Sequence, residues 1–224
     1  MPTVLLSPWP YVAAALVLGL ALGPALDAMA RRSLAVSEDA WRPRGLATGV
    51  AAGLSIAFVI VVAPQPGLIP AWCGFALVGT VMCRTDLAAH RIPDVLTGAA
   101  LIVGAGLLLV PWDLPAYGRG WLAALALTLV FLLLGLIGPA GLGMGDVKLA
   151  PALGLYLGYL GWDELLMGVF AGFVAAAVVG IVVVVRGAFT RASPEQASIR
   201  SALHHALPFG PFLLLGALIG LAIA

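Results

Sequence analysis

Trp121–Pro139 reads WLAALALTLVFLLLGLIGP, nineteen residues without a charged side chain. A helix that crosses a bilayer needs about 20 such residues. Inside lipid each backbone N–H and C=O must be paired within its own segment, so this run reads as an α-helix. Seven more apolar segments accompany it, at roughly 4–26, 46–64, 68–85, 95–111, 147–161, 164–185 and 203–223. The shortest, 147–161, contains Pro151 and is the weakest of the eight. The expected fold class is therefore all-α: a polytopic membrane protein of eight transmembrane helices, one domain over 1–224.

Composition agrees. Of the 224 residues, 62% are hydrophobic and 9% charged, and the mean hydropathy is +1.12. A soluble domain has about 25% charged residues. So few charges exclude a soluble globular domain, a disordered chain and a nucleic-acid binder with a basic face. The net charge of +1 implies no strongly charged partner.

The basic residues set an orientation. With the N-terminus outside, alternate loops are cytoplasmic. They hold Arg31, Arg32, Arg42, Arg44, Arg84, Arg91, Lys148, Arg186, Arg191 and Arg200, ten of the eleven Lys and Arg, and leave Arg119 outside. That asymmetry follows the positive-inside rule. If 147–161 did not cross, the split would fall to 7:4, so eight crossings are favoured, with both termini outside. Met1–Pro10 lacks Lys and Arg, unlike the basic start of a signal peptide, and the first apolar run is read as a retained helix. The small-residue pairs Gly19/Gly23, Gly154/Gly158, Gly168/Gly172 and Gly216/Gly220 predict close helix crossings. Cys73 and Cys83 form no CxxC pair and read as apolar thiols.

The ten acids divide by position. Asp27, Glu38, Asp39 and Glu195 read as solvated loop charge among arginines, and Asp113, Asp163 and Glu164 as outer-loop charge. Asp86, Asp94 and Asp146 remain, at the expected cytoplasmic boundary. A carboxylate beside hydrocarbon is costly and marks a functional site. Two on facing helices could share one proton, since like charges a few ångströms apart cannot both ionise. One then activates a water and the other donates a proton, which is aspartic-protease chemistry. Gly143 and Gly145, in Gly141-Leu-Gly-Met-Gly-Asp146, permit positive φ and let backbone approach Asp146. A flexible linker is the other reading of those glycines. Lys148 reads as a lysine reaching for the interface.

Three stretches together resemble the type IV prepilin peptidase family, in the form without its cysteine-rich domain: Asp86-Leu-Ala-Ala-His-Arg-Ile-Pro-Asp94, Gly143-Met-Gly-Asp-Val-Lys-Leu149 and Pro208-Phe-Gly-Pro-Phe212. They occur in the family's order within 68–224. The resemblance implies an intramembrane aspartic endopeptidase in the bacterial cytoplasmic membrane. Such enzymes remove the leader of prepilins or pseudopilins at the cytoplasmic side. It places the catalytic pair on Asp86 and Asp146, with Pro93, Asp94, Gly143, Gly145 and Lys148 in support. Asp94 would orient its loop or cap the helix that follows. Many members of the family carry a cytoplasmic domain with paired CxxC motifs after the first span, associated with N-methylation. Here that place is the short loop 27–45, which has no cysteine, so peptidase activity is the expectation.

Neither a cofactor nor a metal is expected: His90, His204 and His205 fit no ligand spacing and read as interfacial side chains. Lipid is an expected partner and nucleic acid is not. The arginine clusters at 31–32 and 42–44 read as topology determinants or as contacts to lipid phosphate. A proton-coupled transporter using Asp86 and Asp146 is the competing class. It predicts carboxylates near the midplane within an inverted repeat. A non-catalytic scaffold predicts that the two lie apart.

Overall fold

The computed structural model describes residues 8–37, 41–137, 142–189 and 208–224. Within them lie eight α-helices: α1 Trp9–Ser33, α2 Gly45–Val62, α3 Ile69–Ala89, α4 Asp94–Leu107, α5 Leu114–Leu136, α6 Met144–Leu160, α7 Trp162–Phe189 and α8 Gly210–Ile223. A short 3₁₀ turn, Pro66–Leu68, leads into α3. Each apolar segment of the sequence is met by one helix. Five stretches are long and apolar enough to cross a membrane: Trp9–Ser33, Gly45–Val62, Pro66–Ala89, Leu114–Leu136 and Trp162–Val183. At 14 residues each, α4 and α8 are about 21 Å long, shorter than a hydrocarbon core of about 30 Å.

Successive helices alternate in direction, which contacts at the two ends fix. At one end Arg84 of α3 reaches Asp27 near the close of α1, and Asp86 of α3 meets Gly210 at the start of α8. At the other end Tyr117 of α5 donates to the carbonyl of Ala105 in α4, and Arg119 donates to the last carbonyls of α6. The first end therefore gathers the α3–α4 and α5–α6 junctions and the start of α8.

The expected small-residue crossings are present. A Cβ at Gly19 would strike the backbone of Gly53 in α2. One at Gly154 would lie 2.5 Å from Ala124 Cα in α5, and one at Gly168 2.9 Å from the Gly216 carbonyl of α8. Without a hydrophobic force between helices in lipid, such backbone approach is what holds them together.

Helix α6, the weakest segment by sequence, lies at the centre against α4, α5, α7 and α8. Most of its side chains are buried all round, Pro151's neighbours included. Its Tyr156 ring stacks at 5.3 Å from Trp72 and 4.5 Å from Phe75 of α3, and its hydroxyl donates to the Ala71 carbonyl. A helix covered on every side by protein needs no long lipid-facing stripe, which explains its modest apolar signal.

The end of the first helix differs from expectation. The first loop does not begin at 27, because α1 continues to Ser33 and the linker is 34–44. Arg31 and Arg32 close the last turn of α1, where positive charge suits the helix C-terminus. A hydropathy reading ends the span at the first charges; the helix does not.

Candidate active site

Helix α3 stops at His90, whose φ of 51° and ψ of 39° place it in the left-handed region, with its N–H donating to the Asp86 carbonyl at 2.8 Å. Pro93 then holds an extended conformation and is the N-cap of α4. These two breaks leave Asp86 in the last turn of α3, 6% exposed. Its Oδ2 accepts the Gly210 N–H at 3.0 Å, and so meets the N-terminus of α8. Helix starts carry unpaired N–H groups and partial positive charge, which suit a carboxylate.

Asp146 lies in the first turn of α6, 7% exposed. Gly143 is the N-cap, and its carbonyl accepts the Asp146 N–H at 2.9 Å. Both carboxylates line one cavity of about 1020 Å³, with His90, Met144, Lys148 and Phe209 among its other walls. Residues sixty apart in sequence thus share one site, whereas a scaffold would leave them apart.

The glycines act by size, not by φ. Gly143 is extended at φ −61°, and no described glycine has positive φ, which corrects that expectation. A Cβ on Gly143 would lie 3.0 Å from Asp146 Oδ2. At Gly145 it would meet Ile92 at an ordinary 3.6 Å. Gly210 is the tightest: a Cβ there would lie 2.9 Å from Asp86 Oδ2 and 3.0 Å from Ile92 Cδ1. Ile92, 6% exposed, is therefore wedged between the starts of α6 and α8. Gly210 and Ile92 entered the sequence reading only inside motifs; their contacts with the carboxylates depend on the fold.

Asp94 does not cap α4 with its side chain. It is the helix's first residue, and its Oδ1 accepts from Lys148 Nζ at 2.6 Å. Lys148 is accordingly paired rather than simply reaching for the interface. The pair ties the start of α4 to α6 at the cavity mouth, and both side chains are exposed. His90 also lines the cavity and is exposed, while His204 and His205 lie outside the described residues. Among the described residues no group of three or more His, Cys, Asp and Glu could hold a metal ion.

Asp27 overturns its reading as solvated loop charge. It is 4% exposed within α1 and ion-paired to Arg84 Nε at 2.7 Å. It also accepts from Trp41 Nε1 at 2.9 Å and from the Arg44 backbone N–H at 3.3 Å. The Arg84 guanidinium sits 4.0 Å over the Trp41 ring and donates to the Arg42 carbonyl at 2.7 Å. The signal was present in the sequence. Gly19, Gly23 and Asp27 recur every fourth residue, one stripe of a helix that extends beyond 26.

Comparison with known proteins places residues 73–181 in a match to the type IV leader peptidase family. Two curated relatives, each described as "Prepilin leader peptidase/N-methyltransferase" and from Burkholderia pseudomallei strains 1026b and K96243, are 34% identical over 143 residues. The alignment covers 60% of this chain and 40% of each relative, so the chain spans well under half the length of the relatives it matches. No solved structure matches.

Proposed function

We propose, from the match of residues 73–181 to the type IV leader peptidase family, that the chain is an intramembrane aspartic endopeptidase that removes the leader of type IV prepilins or pseudopilins. The observation that carries this reading is the meeting of Asp86 and Asp146, from two separate motifs, in one open cavity. In the proposed arrangement all eight helices cross the bacterial cytoplasmic membrane, with both termini outside and the cavity at the cytoplasmic face. The described basic residues support that orientation. Arg31, Arg32, Arg42, Arg44, Arg84, Arg91, Lys148 and Arg186 lie toward the cavity end, and Arg119 lies at the other.

The chemistry follows from the two carboxylates. The apolar part of the substrate stays among the helices, and its scissile segment extends beside Gly143, where no Cβ obstructs it. Asp86 accepts the Gly210 N–H, which stabilises negative charge there. It takes a proton from the attacking water. Asp146 holds the shared proton and gives it to the carbonyl oxygen; as the C–N bond breaks, Asp86 passes the water's proton to the leaving amine and Asp146 takes one back from a hydroxyl of the tetrahedral centre. Gly210 thereby positions the base, and Asp94–Lys148 holds α4 and α6 in register at the mouth. Nothing favours the transporter reading: both carboxylates sit at helix ends rather than midway along the bundle.

Asp86→Asn and Asp146→Asn, made separately and co-expressed with candidate prepilins, test the assignment by leader removal in membranes. Each should abolish cleavage while leaving the protein folded. Wild-type cleavage by either variant would sink it.

A further inference from the structure

A second, smaller cavity of about 300 Å³ lies between α2, α3 and α8. Its floor is small: Ala47 and Ala51 from α2, Ala76 and Gly79 from α3. Leu215 and Leu218 of α8 form one wall. The polar end holds Arg44 and Arg84, at the same end of the bundle as Asp86. Arg84 is already engaged by Asp27 and Trp41. Arg44 is exposed, and its guanidinium makes no ion pair with any described residue. Its backbone N–H, held by Asp27, fixes where the side chain emerges.

Size and charge select the occupant. From Arg44 to Ser55 the groove follows eleven residues of α2, about 16 Å of helix rise. A groove of that length, floored by alanine and glycine, admits one extended hydrocarbon chain. Arg44, with no ion pair among the described residues, then complements an anionic headgroup rather than a zwitterionic one. We propose that this groove is a binding site for an anionic phospholipid, one acyl chain lying along Ala47, Ala51 and Gly79 and the phosphate on Arg44. The lipid would brace α3, which lines this groove and also carries Asp86 into the larger cavity. The site stands independently of the peptidase reading.

Native mass spectrometry of the purified full chain tests it, with phosphatidylglycerol and phosphatidylcholine of identical acyl chains as probes. Phosphatidylglycerol should be retained about fivefold better, the ratio expected for one arginine at an anionic headgroup. Arg44→Gln should erase that preference without lowering phosphatidylcholine retention. Ala51→Phe, which fills the groove, should lower both. Equal retention of the two lipids by the wild type, or unchanged retention in Ala51→Phe, overturns the proposal. A photoreactive residue in place of Leu215 provides a second readout in membranes that does not depend on the filled-groove variant folding. Adducts of lipid mass are expected, whereas adducts to a second copy or to a prepilin overturn the assignment. Both readouts are bound masses, so a failure here is distinct from a failure of leader cleavage.

Discussion

Gly143 and Gly145 stand two residues apart in one motif, and their surroundings separate them. A methyl group at 143 would press on the Asp146 carboxylate at 3.0 Å, while one at 145 would touch Ile92 at 3.6 Å. Neither position has a backbone that forbids alanine. Gly143→Ala should therefore slow leader cleavage at least about tenfold by displacing the carboxylate, with little loss of thermal stability, because a misplaced catalytic group costs rate before it costs folding. Gly145→Ala should stay within about twofold of wild type, as an ordinary van der Waals contact demands no shift. Initial rates on a prepilin in detergent, alongside melting temperatures, check both. Asp27 makes the opposite contrast, a charge important to stability but not to chemistry. Asp27→Asn leaves Arg84 without its counter-charge at a mostly buried site and should destabilise the fold by about 3 kcal/mol. The double variant Asp27→Asn/Arg84→Gln should recover part of that loss in the same melting assay.

Among the elements, α6 carries Asp146 at one end and depends on Arg119 at the other. The Arg119 guanidinium donates to the carbonyls of Gly158, Tyr159 and Leu160, the last ones of the helix, which have no partner within it. Arg119→Ala should lower the melting temperature by an amount equivalent to about 1–3 kcal/mol, as for hydrogen bonds to a charged group. Cleavage per folded molecule should hold, because about 20 Å of helix separates the cap from Asp146. Arg119 reads from sequence as an outer-loop charge because the apolar run begins at Trp121. The helix begins at Leu114, with Asp113 accepting the Ala116 N–H as its N-cap. The apolar run marks where lipid would be, and the cap marks where the helix starts.

For the whole molecule, the alternation of eight helices puts the carboxylates, Arg84, Arg91 and Lys148 at one end and Trp112 and Arg119 at the other. In a background of Cys73→Ala/Cys83→Ala, Trp112→Cys should react with a membrane-impermeant maleimide in intact spheroplasts. Arg91→Cys should react only after permeabilisation. Equal labelling of both would contradict the proposed orientation.

The apolar segments that the described helices occupy, and Asp86 and Asp146 as candidates, were legible along the chain. Hydropathy and charge asymmetry are local sums over neighbouring residues, and the motifs are short contiguous strings. The small-residue crossings were legible for the same reason, since a spacing of four repeats on one helical face. What the tertiary structure alone decided is which residues touch. It put α6 at the centre although its apolar signal is the weakest. It brought Gly210 of the last helix to Asp86 and wedged Ile92 between two helix starts. It moved Lys148 onto Asp94 and turned Asp27 from a loop charge into a buried anchor for Arg84. The residue pairs among these lie about fifty to more than a hundred positions apart in the chain. Such a contact depends on how far helices approach and rotate, and on how polar groups are satisfied once water is excluded, and no local pattern encodes that.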